Sequence, residues 1–543
     1  MLYLNRTQLR YALLLVSFQI FGQTILPWDD HQPSPDFGIS IGPTAYLNYA
    51  RPLGYPGVQL HEYSDLTRLN LISGQPDRLL SPWWIGSNHN TRHTNFGPTV
   101  FTEFDTAASH VMINYKQGDS EFKDFAFTYE HALSKSSYLG FVSETRSHVR
   151  YIDVTDFDQQ DHQIEYFTET KNLSTRVRAG YNRLRTPLYT LIVDPILLTT
   201  SLDADANLQW DRYTGSIESS FSRGKNQYRL VFWQQGGEWL WADSLRNQWN
   251  TLALGSWDYH LSPRVTVSTS AGYWRQTLGE WQFKVPLTQA SFSRLGDYST
   301  IEFGVKTMDR IVLPNGDAQF NFKKTYIGVS LTPLLQYDLA RHKLSATSVG
   351  QTKIGIRDST FAVEASAWQG LSGLPIPGDT LGGTGGTTAG WALIASLDLR
   401  SQTRLSLGYE KLTKGTNDYY TFDDERLTWR FEQHVAMFNN AMLVSLNVWG
   451  SSHFNVRSAV FNPVTFDLEP PFVSHSNPIH RVNYSIQARI RDVTIAFTDK
   501  NVLQDSVWQQ SLGSDWQTSY TVMSNLPQED RFRYLTVVWY FTN

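Results

Sequence analysis

RVNYSIQARIR, residues 481–491, alternates without a break: every second residue is apolar and every intervening residue is polar or charged. A period of two residues is typical of a β-strand, whose successive side chains lie on opposite faces. After a corner at Arg491 and Asp492 the alternation continues over residues 493–498, so the two segments predict a β-hairpin. Residues 532–541, which end WYF, predict the last strand of the chain.

The length of this strand separates two kinds of β protein. Strands of soluble sandwiches usually have about five or six residues, whereas a strand that crosses a membrane needs about nine to eleven. Residues 481–491 match the longer class. On the polar face, Arg481, Arg489 and Arg491 suit a wet lumen, and each would cost about 2–4 kcal/mol at the lipid midplane. The stretch therefore predicts an all-β fold, a large antiparallel transmembrane β-barrel.

Composition fits a barrel. Of 543 residues, 14% are aromatic, with 18 Trp and 27 Tyr, and 18% are charged. Trp and Tyr concentrate in the interfacial girdles of membrane proteins, although a secreted lectin or glycosidase rich in aromatic residues has a similar composition. The chain has no cysteine, so its stability must come from the hydrogen-bonded ladder and from packing. The net charge of -5 argues against a nucleic-acid partner.

Three segments divide the chain. Residues 1–22 contain Arg6 and Arg10, an apolar run and a final Gly22, which together predict a secretory signal peptide. Residues 23–95 hold eight prolines and predict a lead-in that either lies in the periplasm or occupies the lumen. Residues 96–543 repeat the alternating pattern, and only closed barrels cross lipid without helices. This last segment is therefore the predicted barrel, in an outer membrane.

The connections between the alternating segments are short and long in turn. Short turns are predicted at 171–172, 223–226, 261–264, 294–297 and 438–440, and long loops near 148–160, 184–206, 237–245, 309–318, 370–389, 414–424, 451–479 and 501–530. Outer-membrane barrels have short periplasmic turns and longer external loops. The count predicts roughly 18 to 22 strands, an even number when both termini are periplasmic. Candidate turns at 332–335, 340–343 and 357–358 compete, because they cannot all be correct.

Two groups of motifs resemble a known family. Residues 104–106, 115–118 and 129–134 form a Thr-containing strand, a Gly turn and a His-containing strand in that order. Residues 498–503 and 527–534 place an Asn-Leu strand end before a loop with Pro and Arg and a final aromatic strand. The chain resembles the Bacteroidetes-type putative porins in these motifs, and more loosely the barrel of TonB-dependent receptors. The resemblance implies an outer-membrane barrel that acts as a channel, and no family site residue carries over.

Seven charged residues are the predicted pore-lining candidates. They fall on the polar face of predicted strands and are Arg176, Arg178, Arg404, Glu410, Arg481, Arg489 and Arg491. They either form a charged constriction with an ion preference or pair across the wall and stiffen it. The favoured function is a porin-like channel for passive diffusion of small hydrophilic solutes. A ligand-specific receptor or transport barrel and a non-conducting structural or secretion-partner barrel are the alternatives. The expected partners are the outer-membrane bilayer, the solutes and the outer-membrane assembly machinery.

Other motifs do not predict chemistry. Residues 203–207 alternate oxygen-bearing side chains as a calcium loop does, but Leu208 stands where that loop needs glycine. His89 and His93 lie in a loop-like context without a neighbouring glutamate, and the glycine run 382–386 lacks the ending of a phosphate loop. There is no nucleophile elbow, so no enzyme, catalytic residue, cofactor or metal is predicted.

Overall fold

The computed structural model describes residues 109–118, 123–151, 155–187, 190–194, 199–203, 207–241, 244–278, 281–308, 311–338, 343–358, 360–371, 387–399, 402–414, 425–455, 457–462, 467–474, 477–504 and 531–542. The predicted signal peptide and lead-in, and residues 96–108 of the predicted barrel, lie outside these ranges. Nowhere in the described ranges is there a helix with the length and apolar character needed to cross a membrane.

The described chain is built from β-strands. The first half runs β1 (His110–Gly118), β2 (Lys123–Ser134), β3 (Ser137–Tyr151), β4 (Thr155–Glu169), β5 (Leu173–Pro187), β6 (Thr190–Asp194), β7 (Thr199–Asp203), β8 (Asn207–Arg223), β9 (Asn226–Trp241), β10 (Ser244–Ser262), β11 (Val265–Leu278), β12 (Trp281–Leu295) and β13 (Ser299–Met308). The second half runs β14 (Ile311–Phe322), β15 (Thr325–Asp338), β16 (Lys343–Arg357), β17 (Phe361–Leu371), β18 (Thr387–Leu399), β19 (Thr403–Lys414), β20 (Glu425–Met437), β21 (Met442–Phe454), β22 (Arg457–Asn462), β23 (Asp467–Ser474), β24 (Ile479–Ile490), β25 (Val493–Lys500) and β26 (Phe532–Thr542). A short 3-10 turn covers Val502–Gln504.

Twenty-two of these strands form one closed antiparallel barrel. Each strand pairs with its neighbour in the chain, and β1 pairs with β26 from His110 opposite Thr542 to Gly118 opposite Tyr534. Two separate hairpins, β6 with β7 and β22 with β23, lie outside the barrel sheet. The predicted all-β antiparallel barrel is confirmed, and its 22 strands lie within the predicted range.

The two rims of the barrel differ. One, called the turn rim, holds the tight turns at 135–136, 224–225, 263–264, 323–324 and 491–492, together with the start of β1 and the end of β26. The turns after β4, β12, β16, β18 and β20 lie at this rim as well. The other, called the loop rim, holds the connections that alternate with these turns along the barrel, including those that carry the two extra hairpins. Of the competing turns, residues 332–335 lie inside β15 and Arg357 ends β16, with Asp358 following. The predicted loops at 148–160 and 237–245 are mostly strand.

The outer face of the barrel is apolar and exposed. Leu230 on β9 is 67% exposed, and Ile217 on β8 is 51% exposed. Two aromatic rows cross the same four strands on this face. The lower row joins Leu173, Phe221, Tyr228 and Trp257, and the upper row joins Tyr181, Tyr213, Gly236 and Trp249. The rows are eight residues apart on β8, about 26 Å along the strand. With a strand tilt of about 40°, this is about 20 Å along the barrel axis, which fits within an apolar lipid band about 25 Å tall.

The depth of the apolar band predicts how a charge on the outer face acts. Ile217 lies midway between the two aromatic rows, so Ile217→Arg places a guanidinium near the lipid midplane. We expect a loss of about 2–4 kcal/mol in the free energy of unfolding, because lipid cannot solvate the charge there. Phe221→Arg, in the lower row on the same strand, is the matched control and should cost about 0–1 kcal/mol. Urea titration in lipid vesicles measures both values, and equal losses would show that the band is misplaced.

Candidate functional site: the inner wall of the barrel

Six of the seven predicted pore-lining residues lie on the inner face. They are Arg176, Arg178, Arg404, Glu410, Arg481 and Arg489. Arg491 lies in the two-residue turn between β24 and β25 and is exposed. Its φ of 51° is in the left-handed region that tight hairpin turns need, so the alternation of β24 ends one residue before it. A conducting role for these residues stays a prediction.

A buried ionic cluster joins β3, β4 and β5 towards the turn rim. Glu165 is 0% exposed and accepts hydrogen bonds from Tyr138 Oη and Arg178 Nε. Arg176 Nε lies 3.4 Å from the same carboxylate, and its guanidinium lies 5.2 Å from the centroid of the Phe167 ring. One acid is therefore shared by two cations. This geometry ties three strands together and fits the stiffening role.

A second polar set lies on the inner face towards the loop rim. Glu410, Arg426 and His453 are cross-strand neighbours in one row over β19, β20 and β21. Arg426 Nη2 donates to Glu410 Oε2 at 3.0 Å, and both side chains are 1% exposed. His453 Nε2 lies 3.0 Å from Ser451 Oγ. Burial removes water from both ions, which costs free energy. Close and well-aligned contact between the two charges is needed to offset that cost.

The same set continues onto β24 and β25. Arg481 and Asn483 are buried on β24, and the Asn483 Oδ1 accepts a hydrogen bond of 2.8 Å from the Asn501 backbone N–H. Lys500, at the end of β25, has its Nζ 5.7 Å from the centroid of the Tyr534 ring. We call the group the loop-rim set; it comprises Glu410, Arg426, His453, Arg481, Asn483 and Lys500. Among these six side chains, three are permanent cations and one is the carboxylate that pairs with Arg426.

Burial of the inner wall bears on how the barrel works. A lumen of 22 strands is so wide that opposite walls do not cover each other. Side chains that line an open aqueous channel are therefore exposed to water. Glu165 and the loop-rim set are almost completely buried instead. These parts of the wall do not have the exposure of an open diffusion channel, whereas Arg176 and Arg404 on the same face are 30% and 15% exposed.

The described residues contain no group of three or more His, Asp or Glu side chains placed to hold a metal ion. The motifs considered for metal or phosphate in the sequence fall mostly outside the described ranges, and Asp203 ends β7. Several histidines pair with hydroxyls: His162 Nδ1 lies 2.9 Å from Ser143 Oγ, and His434 Nδ1 lies 2.8 Å from Ser445 Oγ. The His162–Ser143 pair lies on the outer face of the barrel and the His434–Ser445 pair on the inner face, so the two pairs do not form one site.

Comparison with known proteins finds relatives of the fold alone. No model of a known protein family matches the chain, and no curated protein matches it. Among solved structures, a variant of the FrpB iron transporter from Neisseria meningitidis matches with a TM-score of 0.60 at 10% identity, over 81% of this chain and 83% of that one. A mutant of the ferric enterobactin receptor PfeA from Pseudomonas aeruginosa, in complex with enterobactin, matches with a TM-score of 0.62 at 9% identity, over 81% and 82%. The siderophore receptor PirA from Acinetobacter baumannii matches with a TM-score of 0.56 at 7% identity, over 80% of each chain.

The chain shares the fold of these three barrels. At these identities the likeness shows the fold and leaves the ligand open. The looser resemblance, to the barrel of TonB-dependent receptors, agrees with these structures, whereas no family match supports the Bacteroidetes-type putative porins. The neighbours are transporters and receptors. The prediction of a passive porin is wrong, since the structural neighbours are an iron transporter, a ferric enterobactin receptor and a siderophore receptor.

Sequence reasoning missed most of the loop-rim set and the acid of the ionic cluster. Glu165 and Arg178 stand opposite each other across the short turn after β4, so reflecting the strands about that turn would have found the pair. Glu410 and Arg426 face each other across the long connection between β19 and β20. Because no tight turn joins β19 and β20, the sequence does not predict which residues of the two strands pair. His453 and Lys500 carry no local signal at all.

The buried cluster makes a prediction about stability. Glu165→Ala removes the carboxylate that Arg176 and Arg178 share, and we expect a loss of about 3–5 kcal/mol in the free energy of unfolding, because Arg178 stays buried without its partner. Asp297→Ala is the control, since it breaks the Arg264–Asp297 pair, whose side chains are 60% and 65% exposed. That loss should be about 0–1 kcal/mol. Urea unfolding in lipid vesicles compares them, and a small loss in the Glu165 variant would refute the stiffening role.

Proposed function

We propose that the protein is a ligand-specific receptor of the outer membrane that carries its ligand through the barrel. The observation that supports this proposal is the loop-rim set, which is buried, net positive and on the inner wall. Short turns mark the periplasmic side of such barrels, so the loop rim faces the outside. A ligand arriving from outside reaches this half of the lumen first. Because these side chains are buried, they must become exposed before a ligand can bind them and pass. A diffusion channel needs no such step.

The charge of the loop-rim set favours an anionic ligand. Arg426, Arg481 and Lys500 attract negative charge, and a low-dielectric surrounding strengthens that attraction. Two of the structural neighbours are an iron transporter and a ferric enterobactin receptor. Ferric enterobactin is a tris-catecholate iron complex of net negative charge. Ferric chelates of this class are therefore the first ligands to test.

The remaining parts of the chain have roles in this proposal. Residues 1–22 direct export, and the outer-membrane assembly machinery inserts the barrel. Residues 23–95 lie outside the described residues. The buried inner wall favours the lumen over the periplasm for this segment. No enzymatic step is part of the proposal.

Two arginines on one strand test the proposal. Arg481 and Arg489 both lie on the inner face of β24, eight residues apart, but only Arg481 is in the half towards the loop rim. In cells without other siderophore receptors, we expect Arg481→Gln to lower uptake of radiolabelled ferric enterobactin by about tenfold, equivalent to 1.4 kcal/mol. The expected cause is the loss of one of three cations on the path inward.

Arg489→Gln serves as the matched control and should leave uptake within about twofold of the unchanged protein, a difference below 0.5 kcal/mol. Both variants must reach the membrane in equal amount. Equal uptake by the two variants would refute a role for the loop-rim set in transport.

A further inference from the structure

The outer face carries a cleft that transport through the lumen does not use. The cleft has a volume of about 560 Å³ and lies on β5, β8, β9 and β10. It includes the upper aromatic row and the next row towards the loop rim, in which Arg183, Asp211, Glu238 and Asn247 are cross-strand neighbours. Because these residues share the parity of the exposed apolar residues Ile217 and Phe232, the cleft opens away from the lumen.

The height of the cleft places it at the boundary between apolar lipid and headgroups. Below it, Val177, Ile217 and Phe232 form an exposed apolar row. The aromatic row follows, and the charged row stands above it. This order, apolar then aromatic then charged, is the order in which a barrel wall leaves the hydrocarbon. A ligand in the cleft is therefore beside the headgroups of the leaflet on the loop-rim side.

Consecutive glycines open the floor of the cleft. Gly236 and Gly237 sit within β9, where glycine weakens a strand and often marks a close approach to the backbone. The ring of Trp249 lies against Gly236, and a Cβ at that position would overlap the ring. Tyr213, in the same row, is 62% exposed. The aromatic rings therefore present open faces beside a flat stretch of backbone.

The polar row is held in position. Asp211 Oδ1 accepts a hydrogen bond from Tyr181 Oη at 2.9 Å, and its Oδ2 accepts one from Gln209 Nε2 at 2.9 Å. Arg183 Nε lies 3.9 Å from Asp211 Oδ1 and makes no hydrogen bond with any group in the described part of the chain. Across the four strands, the row thus presents a guanidinium, two adjacent carboxylates and an amide.

The chemistry of the cleft selects one class of ligand. Its charged residues are Arg183, Asp211 and Glu238, so two carboxylates face one guanidinium and a phosphate group is disfavoured. A sugar ring has an apolar C–H face that stacks on aromatic rings, and its hydroxyls pair with carboxylate, amide and guanidinium groups. We propose that the cleft binds the sugar headgroup of a glycolipid in the leaflet on the loop-rim side. This site is independent of what the lumen transports, and it rests on the outer-membrane location alone.

Native mass spectrometry of the intact barrel tests the proposal. The protein is purified in a detergent without a sugar headgroup, stripped of lipid and titrated with a neutral glycolipid, a diacylglycerol with a hexose headgroup. We expect binding of the glycolipid, and we expect Tyr213→Ala and Trp249→Ala each to weaken it by about tenfold, since each removes a stacking face. Tyr228→Ala and Trp257→Ala remove the same side chains from the lower row, on β9 and β10, and should leave the affinity unchanged.

Two further probes separate the sources of the ligand. Phosphatidylglycerol offers a lipid phosphate without a sugar ring, and the free hexose offers the saccharide without acyl chains. We expect both to bind more weakly than the intact glycolipid. Equal effects of the upper-row and lower-row variants, or phosphatidylglycerol binding as tightly, would overturn a sugar site. Equal binding of the free hexose would overturn the assignment to a membrane glycolipid. A heat-shift gel confirms that all four variants are folded barrels.

Discussion

The pairing of β1 with β26 is the constraint on which the rest of the structure depends. In lipid, every backbone N–H and C=O group must be satisfied within the protein, and an open sheet would leave two unpaired edges. His110 to Gly118 pair with Thr542 to Tyr534 and remove both edges. Closure also separates two environments, because alternate residues must then face either lipid or the lumen. The apolar outer face and the polar inner face follow from that one pairing.

The inner wall shows what the barrel does with its charge. Towards the turn rim, Arg176 and Arg178 share Glu165, so charge there holds neighbouring strands together. Towards the loop rim, Arg426 pairs with Glu410 in a set that also holds Arg481 and Lys500 and is almost completely buried. In both groups the cations outnumber the carboxylate. In the proposed receptor, the loop-rim set is the group that an anion arriving from outside meets first.

The sequence predicts the barrel wherever one face of a strand is apolar. Residues 481–491 identified β24, and the inner positions of Arg481 and Arg489 followed from a period of two. The sequence does not predict a strand where the alternation of apolar and polar residues is missing. Around 148–160 and 237–245 the alternation of apolar and polar residues is broken, for example by Trp239, Leu240 and Trp241 in succession, so strand resembles loop. Arg491 was placed on the wall because parity alone does not show where a turn begins.

Pairs across tight turns were within reach of the sequence, and pairs across long connections were not. Glu165 and Arg178 belong to the first kind, and Glu410 and Arg426 to the second. The outer cleft needs four strands in register before its two rows appear, so no local pattern predicts it. Function was the hardest inference, because a polar inner face is shared by open and closed barrels. Burial separates them, and burial is a property of the folded chain.

The central claim is that the barrel is closed in the absence of ligand. Single-channel recording of the intact protein in a planar bilayer tests it most directly. We expect a flat, non-conducting baseline from protein that a heat-shift gel shows to be folded and inserted. Steady open steps under the same conditions would contradict the account and restore diffusion through an open lumen.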